Sequence, residues 1–150
     1  MIVALDPGVT TGIATYQSKL IGNDRFRAFE MDSKVFTEPH WALAQMLVAM
    51  HPTLILYEAF VFRQDKTGAV FTGVEFIGVI ELVAQRYDRE IKKVPTARGG
   101  FWDNKKIKAV GLYIPGKPHA MDATRLLLTW LMKNDEEWRA QTLEKLKQVL

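Results

Sequence analysis

The opening segment most constrains the fold, because an unbroken apolar run ends there in an acid. Residues 2–5 are all apolar, Asp6 follows at once, and Pro7 and Gly8 then predict a turn. A strand with one wet face alternates apolar and polar residues, so an unbroken run predicts a central strand covered on both faces. Taken alone, the segment favours an ordinary hairpin in which Asp6 begins an Asx turn. Gly8 and Gly12 also let a ligand approach the main chain closely.

A second segment of the same kind lies near the middle of the chain. Residues 53–57 predict another buried strand, and Glu58 comes directly after it. Between the two segments we expect strands at 12–16 and 26–31, followed by a helix that begins near Pro39 and stops at Pro52.

A long helix over residues 70–88 and a short strand at 91–94 are expected next. The helix has a wide apolar band that includes Val74 and Leu82. So wide a band predicts burial on two sides, against the sheet and against a second subunit.

The last third of the chain begins irregularly and ends in helices. Asp103 is placed to cap a short helix rich in lysine, residues 119–133 have a clear amphipathic pattern, and a charged tail helix follows. The order is therefore three antiparallel strands, helix, strand, helix, strand and further helices. This order predicts an α/β fold with a mixed five-stranded sheet and helices on both faces. Trp41 is expected in the core stripe of the first helix, and Leu143 lies at helical spacing in the tail helix.

The composition fits a single domain spanning residues 1–150. Hydrophobic residues make up 48% and charged residues 25%, as in an ordinary globular protein. The absence of cysteine excludes disulfides, thiolate nucleophiles and cysteine-based zinc sites. There is no basic leader, and no apolar run approaches the roughly 20 residues that cross a bilayer. We therefore expect a soluble, cytoplasmic protein, in the host cytoplasm if its source is viral.

Positive charge is concentrated in one third of the chain. The formal net charge is only +3, but between residues 86 and 118 nine basic residues accompany three acidic ones. A basic region on an otherwise slightly acidic protein suits a polyanionic partner, whereas a solvated helix face is an equally acceptable explanation.

Four residues from distant segments point to metal chemistry. Asp6 and Glu58 end two buried strands at the same edge of the expected sheet, Asp122 lies in the first turn of the amphipathic helix, and His119 shares its face. Carboxylates converging within roughly 4–6 Å raise one another's pKa unless cations lie between them, and such oxygen-rich clusters select Mg²⁺ or Mn²⁺. Each residue also has an ordinary explanation: Asp122 pairing with Arg125, Glu58 ending in solvent, and His119 lying on the surface.

Three segments together resemble the RuvC family of Holliday-junction resolvases, including its phage-type members, within the ribonuclease H-like superfamily. The order of these segments and the elements between them match over most of the chain, up to the end of the amphipathic helix. The segments are Leu5-Asp6-Pro7-Gly8 with Thr11-Gly12, then Tyr57-Glu58, then His119-Ala120-Met121-Asp122-Ala123.

The resemblance implies an enzyme and assigns roles to the four residues. It implies a ribonuclease H-like fold and a homodimer in which each site uses two Mg²⁺ or Mn²⁺ ions. Asp6 would bridge both ions, Glu58 would bind one and Asp122 the other. His119 stands where many relatives have aspartate and some have histidine, and it would ligate the second metal or shuttle a proton. All four residues are thus expected to be catalytic and metal-binding.

A second set of residues is expected to contact DNA. Basic residues just before the amphipathic helix suit salt-sensitive, sequence-independent phosphate contacts. Three aromatic residues lie beside the basic ones, and each is expected either to stack on bases or to pack in the core. They are Phe60, Phe62 and Trp102. The candidate DNA-binding residues are Arg63, Lys66, Arg98, Lys105, Lys106, Lys108, Lys117 and Phe62.

The expected function is a metal-dependent endodeoxyribonuclease that acts on branched DNA. Holliday-junction resolution by paired nicks, leaving 5′-phosphate and 3′-hydroxyl ends, is the first expectation. A broader flap or fork nuclease, or a catalytically silent DNA-binding module on the same fold, are the alternatives. The opening motif also resembles the phosphate-binding turn of actin-like sugar kinases. Those enzymes need a duplicated domain, of which this sequence has no second copy.

Overall fold

A mixed five-stranded sheet lies at the centre of the protein. The structure is a computed structural model, and it describes residues 1–58, 69–95 and 100–147. In the order β3-β2-β1-β4-β5, β2 is antiparallel to both β1 and β3, whereas β4 is parallel to both β1 and β5. The strands are β1 (Ile2–Asp6), β2 (Thr10–Tyr16), β3 (Phe26–Asp32), β4 (Leu54–Glu58) and β5 (Glu90–Val94).

Helices cover both faces of this sheet, which confirms the expected α/β architecture. In the described ranges, two α-helices pack on one face and three on the other, each layer with its own buried apolar cluster. Among the described residues, no helix combines the length and apolarity needed to span a bilayer. The first layer contains α1 (Pro39–Met50) and α2 (Ala69–Arg86), and the second contains α3 (Asn104–Ala109), α4 (Pro118–Asn134) and α5 (Glu136–Leu146).

The first strand is buried on both faces, as its unbroken apolar run predicts. Val3 and Leu5 lie in the cluster with α1 and α2, whereas Ala4 lies in the cluster with α4, and all three are fully buried. Since successive side chains alternate between faces, Asp6 comes out on the same side as Ala4. The alternation therefore directs Asp6 toward α4.

One expected core residue is on the surface instead. Trp41 of α1 is 60% exposed, so its assignment to the core stripe was wrong, and Leu143 of α5 is 39% exposed. Each helix touches the rest of the chain along a narrower stripe than its apolar residues suggest. In α1 that stripe buries Leu43 and Leu47. Trp102, by contrast, is buried against Trp138, which assigns it to packing rather than base stacking.

The long helix α2 buries only one side of its apolar band. Phe76 and Ile80 are fully buried against the sheet, whereas Val74 and Leu82 are 48% and 66% exposed. The second side of the band, which the sequence assigns to another subunit, is therefore open in the single chain.

The N-terminal turn of α4 rests directly on β2. A Cβ atom added to Gly12 would lie 1.9 Å from the carbonyl oxygen of His119 and 2.9 Å from the backbone nitrogen of Ala120. Both neighbours belong to the main chain, which cannot move aside as a flexible side chain does. Gly12 is therefore required by close packing of the helix against the sheet.

We expect Gly12→Ala to destabilise the protein by at least about 2 kcal/mol, because the new methyl group forces α4 away from β2. Chemical denaturation measures the free energy of unfolding. Gly78→Ala in α2 is the matched control, since its Cβ would meet nothing within 4 Å and the change should stabilise the helix by about 0.5–1 kcal/mol. Equal stability of the Gly12 variant and the wild type would contradict this packing.

Candidate active site

A row of residues across three strands forms the floor of the site. In the register of the sheet, Asp6 of β1 pairs with Gly12 of β2, which in turn pairs with Glu30 of β3. On the other side of β1, Tyr57 of β4 pairs with Leu5, and Glu58 is the next residue. The sheet therefore delivers carboxylates from β1, β3 and β4 to one edge, beneath the N-terminus of α4.

His119 contacts Asp6 although the two are far apart in sequence. The imidazole Nδ1 lies 3.2 Å from Oδ2 of Asp6, and the two residues are 113 positions apart. The Asp6 side chain is only 12% exposed, whereas that of His119 is about two-fifths exposed. The ring thus bridges the buried acid and the solvent, so it can relay a proton or share a cation with it.

The pKa of Asp6 reflects its burial and the other acids near it. The pKa of Asp6 is raised from its ordinary 3.8 to about 6, because burial and the nearby carboxyls of Glu58 and Asp122 raise it by more than the hydrogen bond from His119 lowers it. The structure therefore brings together all four residues that the sequence predicts for the site. Without a cation, their mutual repulsion is relieved in part by protonation.

Arg125 holds the carboxylate of Asp122. Its guanidinium lies 2.7 Å from Oδ1 of Asp122 and also donates hydrogen bonds to the carbonyl oxygen of Trp102, at 3.1 Å, and to the side chain of Asn104. The ordinary explanation considered for Asp122, pairing with the residue three positions later, is thus present in the fold. Both side chains are largely buried, so this contact also fixes the orientation of Asp122.

Sequence reasoning missed Glu30. Its Oε1 accepts hydrogen bonds from the backbone nitrogens of His119, at 3.0 Å, and Ala120, at 3.3 Å, while Lys117 lies 3.7 Å from Oε2. The available signal was period two in β3, where Phe26, Ala28 and Glu30 share the inward face. An acid in that series is out of place unless it has a buried partner.

The donor set fits a hard divalent cation in its chemistry. Carboxylate oxygens and one imidazole are ligands that Mg²⁺ and Mn²⁺ accept in proteins. Within the three described ranges, however, no three acidic or histidine side chains are already arranged to hold one ion together. Asp122 is engaged by Arg125 and Asp6 by His119, so these side chains must rotate before three of them can share a cation.

Part of the expected DNA-binding surface lies beside this site. Helix α3 is capped by Asp103 as expected, its backbone partner being Lys106 at 2.8 Å. Lys106 also lies over the ring of Phe101, Lys108 lies over that of Tyr113, and Lys105 is on the same short helix. The hydrogen bond that Arg125 donates to the side chain of Asn104 links α4 to α3. Four further candidates, together with Phe60, fall outside the described residues: Arg63, Lys66, Arg98 and Phe62.

The strand order and the two helical layers define a ribonuclease H-like fold, and comparison with solved structures agrees. The chain is similar to Thermus thermophilus RuvC in complex with a Holliday-junction substrate, with a TM-score of 0.55 and 13% identity over 85% of this chain and 90% of that one. It is also similar to the Fowlpox virus resolvase in complex with Holliday-junction DNA, with a TM-score of 0.59 and 13% identity over 89% and 99% of the two chains.

The resemblance drawn from the sequence is thus confirmed at the level of the fold. No protein-family model and no curated protein sequence matches the chain.

The raised pKa of Asp6 predicts a pH-dependent cost to the metal-free fold. Because the folded state binds this proton more tightly than the unfolded chain, the stability from Asp6 is greatest below about pH 4 and is lost as pH rises through about 6. Asp6→Asn removes the charge, so its stability relative to wild type should grow by about 1 kcal/mol between pH 5 and 8. Urea unfolding in EDTA measures this difference. If the stability of the variant relative to wild type stays constant or falls over this pH range, the raised pKa of Asp6 is contradicted.

Proposed function

We propose that the protein is a metal-dependent endodeoxyribonuclease that cuts branched DNA. Its first substrate is the Holliday junction, resolved by paired nicks that leave 5′-phosphate and 3′-hydroxyl ends. The observation that supports this most is the meeting of Asp6, Glu58, His119 and Asp122 at one edge of the sheet. They meet on a fold shared with two resolvases solved with junction DNA. The location proposed from the sequence is the cytoplasm, that of the host if the chain is viral.

The four residues divide the work of holding cations and moving a proton. Two Mg²⁺ or Mn²⁺ ions, when bound, supply the charge that activates water and stabilises the leaving oxygen. Asp6 would contact both ions, Glu58 one and Asp122 the other. His119, bonded to Asp6 and open to solvent, would ligate the second ion or transfer a proton. Arg125 limits the orientations available to Asp122.

The same proposal assigns the phosphate contacts to the basic residues. Lysines of α3 and the start of α4 lie beside the acidic edge, so a strand bound there passes over the carboxylates. Such contacts are independent of base sequence and weaken with salt. The residues are Lys105, Lys106, Lys108 and Lys117, with Arg63, Lys66, Arg98 and Phe62 added from sequence.

A cleavage assay tests the chemistry. Labelled four-way, flap and linear duplex DNA are incubated with Mg²⁺ or Mn²⁺, and we expect four-way junctions to be cut in preference. Asp6→Asn should lower the rate by about a hundredfold or more, since it removes a charge that holds the cations. Asp24→Asn, at an exposed acid before β3, is the matched control and should cut as the wild type does.

The other outcomes either contradict the proposal or favour one of its two alternatives. Equal cutting of all three DNAs, or full activity of the Asp6 variant, would contradict the proposal. Preferential cutting of flaps would favour the broader structure-selective nuclease. Binding of junctions without cleavage under either metal would favour a silent DNA-binding module.

Two opposed nicks require two sites, so we propose a homodimer formed through the open side of α2. The exposed apolar residues Val74 and Leu82 of α2 lie on this layer, and Trp41 of the adjacent α1 is exposed as well. Trp41 and Leu82 line a groove between the two helices. An apolar groove of this kind is a suitable contact for a second copy related by two-fold symmetry.

Leu82→Glu should convert the dimer to a monomer, because it places a charge in the apolar contact. Sedimentation velocity with and without junction DNA measures the change. Leu143→Glu, at an exposed leucine of α5, should leave the dimer intact. If the wild type sediments as a monomer even with a junction bound, the paired-nick resolvase gives way to a flap or fork nuclease.

A further inference from the structure

Glu30 belongs to an edge strand of the sheet, yet its carboxylate is bound to the helix that holds half of the candidate site. One oxygen accepts hydrogen bonds from the backbone nitrogens of His119 and Ala120. We propose that Glu30 is a positioning residue that fixes the first turn of α4 so that His119 and Asp122 meet Asp6, without itself binding metal. The consequence for cation binding rests on the function proposed above.

The start of α4 needs such a partner from outside the helix. Its N-cap residue, Lys117, makes no side-chain capping bond, and Pro118 begins the helix. The first backbone N–H groups of a helix have no partner within it, and this end has positive electrostatic character. A carboxylate is the side chain best suited to satisfy both, and here it comes from β3, whose residue 30 pairs with Gly12.

Glu30 and Gly12 act on the backbone of the same residue, His119. Gly12 lets the carbonyl of His119 come down onto β2, while Glu30 holds the nitrogen of that residue. The imidazole of His119 is then within 3.2 Å of Asp6, and Asp122 follows three residues later on the same helix. These two contacts thereby fix the distance of α4 from the sheet and the rotation of the helix about its axis near the site.

Its place in the sheet argues against Glu30 being a ligand. It lies two strands from Asp6, a separation of about 10 Å at the usual strand spacing. One of its oxygens is engaged by two backbone nitrogens and the other faces Lys117 at 3.7 Å. A group held in this way acts on the cations through the helix that it orients.

The test compares Glu30→Ala with Glu30→Gln in DNA-free protein. Glutamine keeps an oxygen that accepts both backbone hydrogen bonds and loses only the charge, which faces the half-exposed Lys117 and the positive end of α4. Hydrogen exchange of the His119 and Ala120 amides reports the first turn of α4, and electron paramagnetic resonance of Mn²⁺ reports cation affinity. Asp135→Ala removes the N-cap bond of α5 to Trp138, and so controls for a general loss of stability.

We expect Glu30→Ala to speed exchange at the two amides and to weaken Mn²⁺ binding by about tenfold or more. Glu30→Gln should stay close to wild type in both measurements, and Asp135→Ala should lower the melting temperature without changing Mn²⁺ affinity. A loss of Mn²⁺ affinity as large in the glutamine variant as in the alanine variant, with exchange at the two amides unchanged in the glutamine variant, would make Glu30 a ligand and overturn the proposal. Unchanged Mn²⁺ affinity in Glu30→Ala would reduce its role to stability and overturn it too.

Failure of the nuclease proposal is distinguishable from failure of this one. If wild-type protein binds Mn²⁺ but cuts no DNA, the nuclease is contradicted, while the Glu30 variants still decide its role through exchange and binding. If wild-type protein binds no Mn²⁺, both proposals are overturned.

Discussion

Burial of one carboxylate among others is the interaction on which the rest of this structure depends. Asp6 is almost enclosed, and its pKa is raised by that burial and by Glu58 and Asp122. Such a cluster is unfavourable in a fold without cations and is tolerated only where other contacts over-determine the backbone. Here β1 supplies them, since its apolar residues are buried between two helical layers and its backbone pairs with strands on both sides.

The repulsion is balanced by contacts that each engage one acid. His119 bonds Asp6, Arg125 bonds Asp122, and Glu30 binds the backbone of α4. These contacts keep the acids near one another. Under the proposed function, a bound cation would replace the half-exposed contact from His119 and the buried ion pair with Arg125 by one central positive charge.

The sequence was sufficient for the fold and for choosing four residues that the structure brings close together. Unbroken apolar runs before Asp6 and Glu58 identified the two central strands, because burial on both faces leaves no room for polar residues. The parallel pairing of these strands then follows from the intervening helix, and it places both acids at one edge. His119 and Asp122 were found from their place at the start of an amphipathic helix.

What the sequence could not supply was the partner of each polar group. Glu30 looks like a surface acid until the register of β3 places it under α4, and a register is a property of pairing, not of one strand. The sequence likewise did not show that α1 and α5 are buried along only a narrow stripe. Trp41 and Leu143 match the helical period, but only the neighbouring elements decide how wide a stripe is covered.

The bond between Asp6 and His119 also orders events in time. These residues lie 113 positions apart, and during synthesis the first strand leaves the ribosome long before the fourth helix exists. Contacts of such sequence separation form late, because chain entropy must be lost before they contribute. A nascent or prematurely ended chain therefore carries Asp6 and Glu58 but lacks the histidine and the third acid. The four residues of the candidate site can therefore come together only after Asp122 has been synthesised.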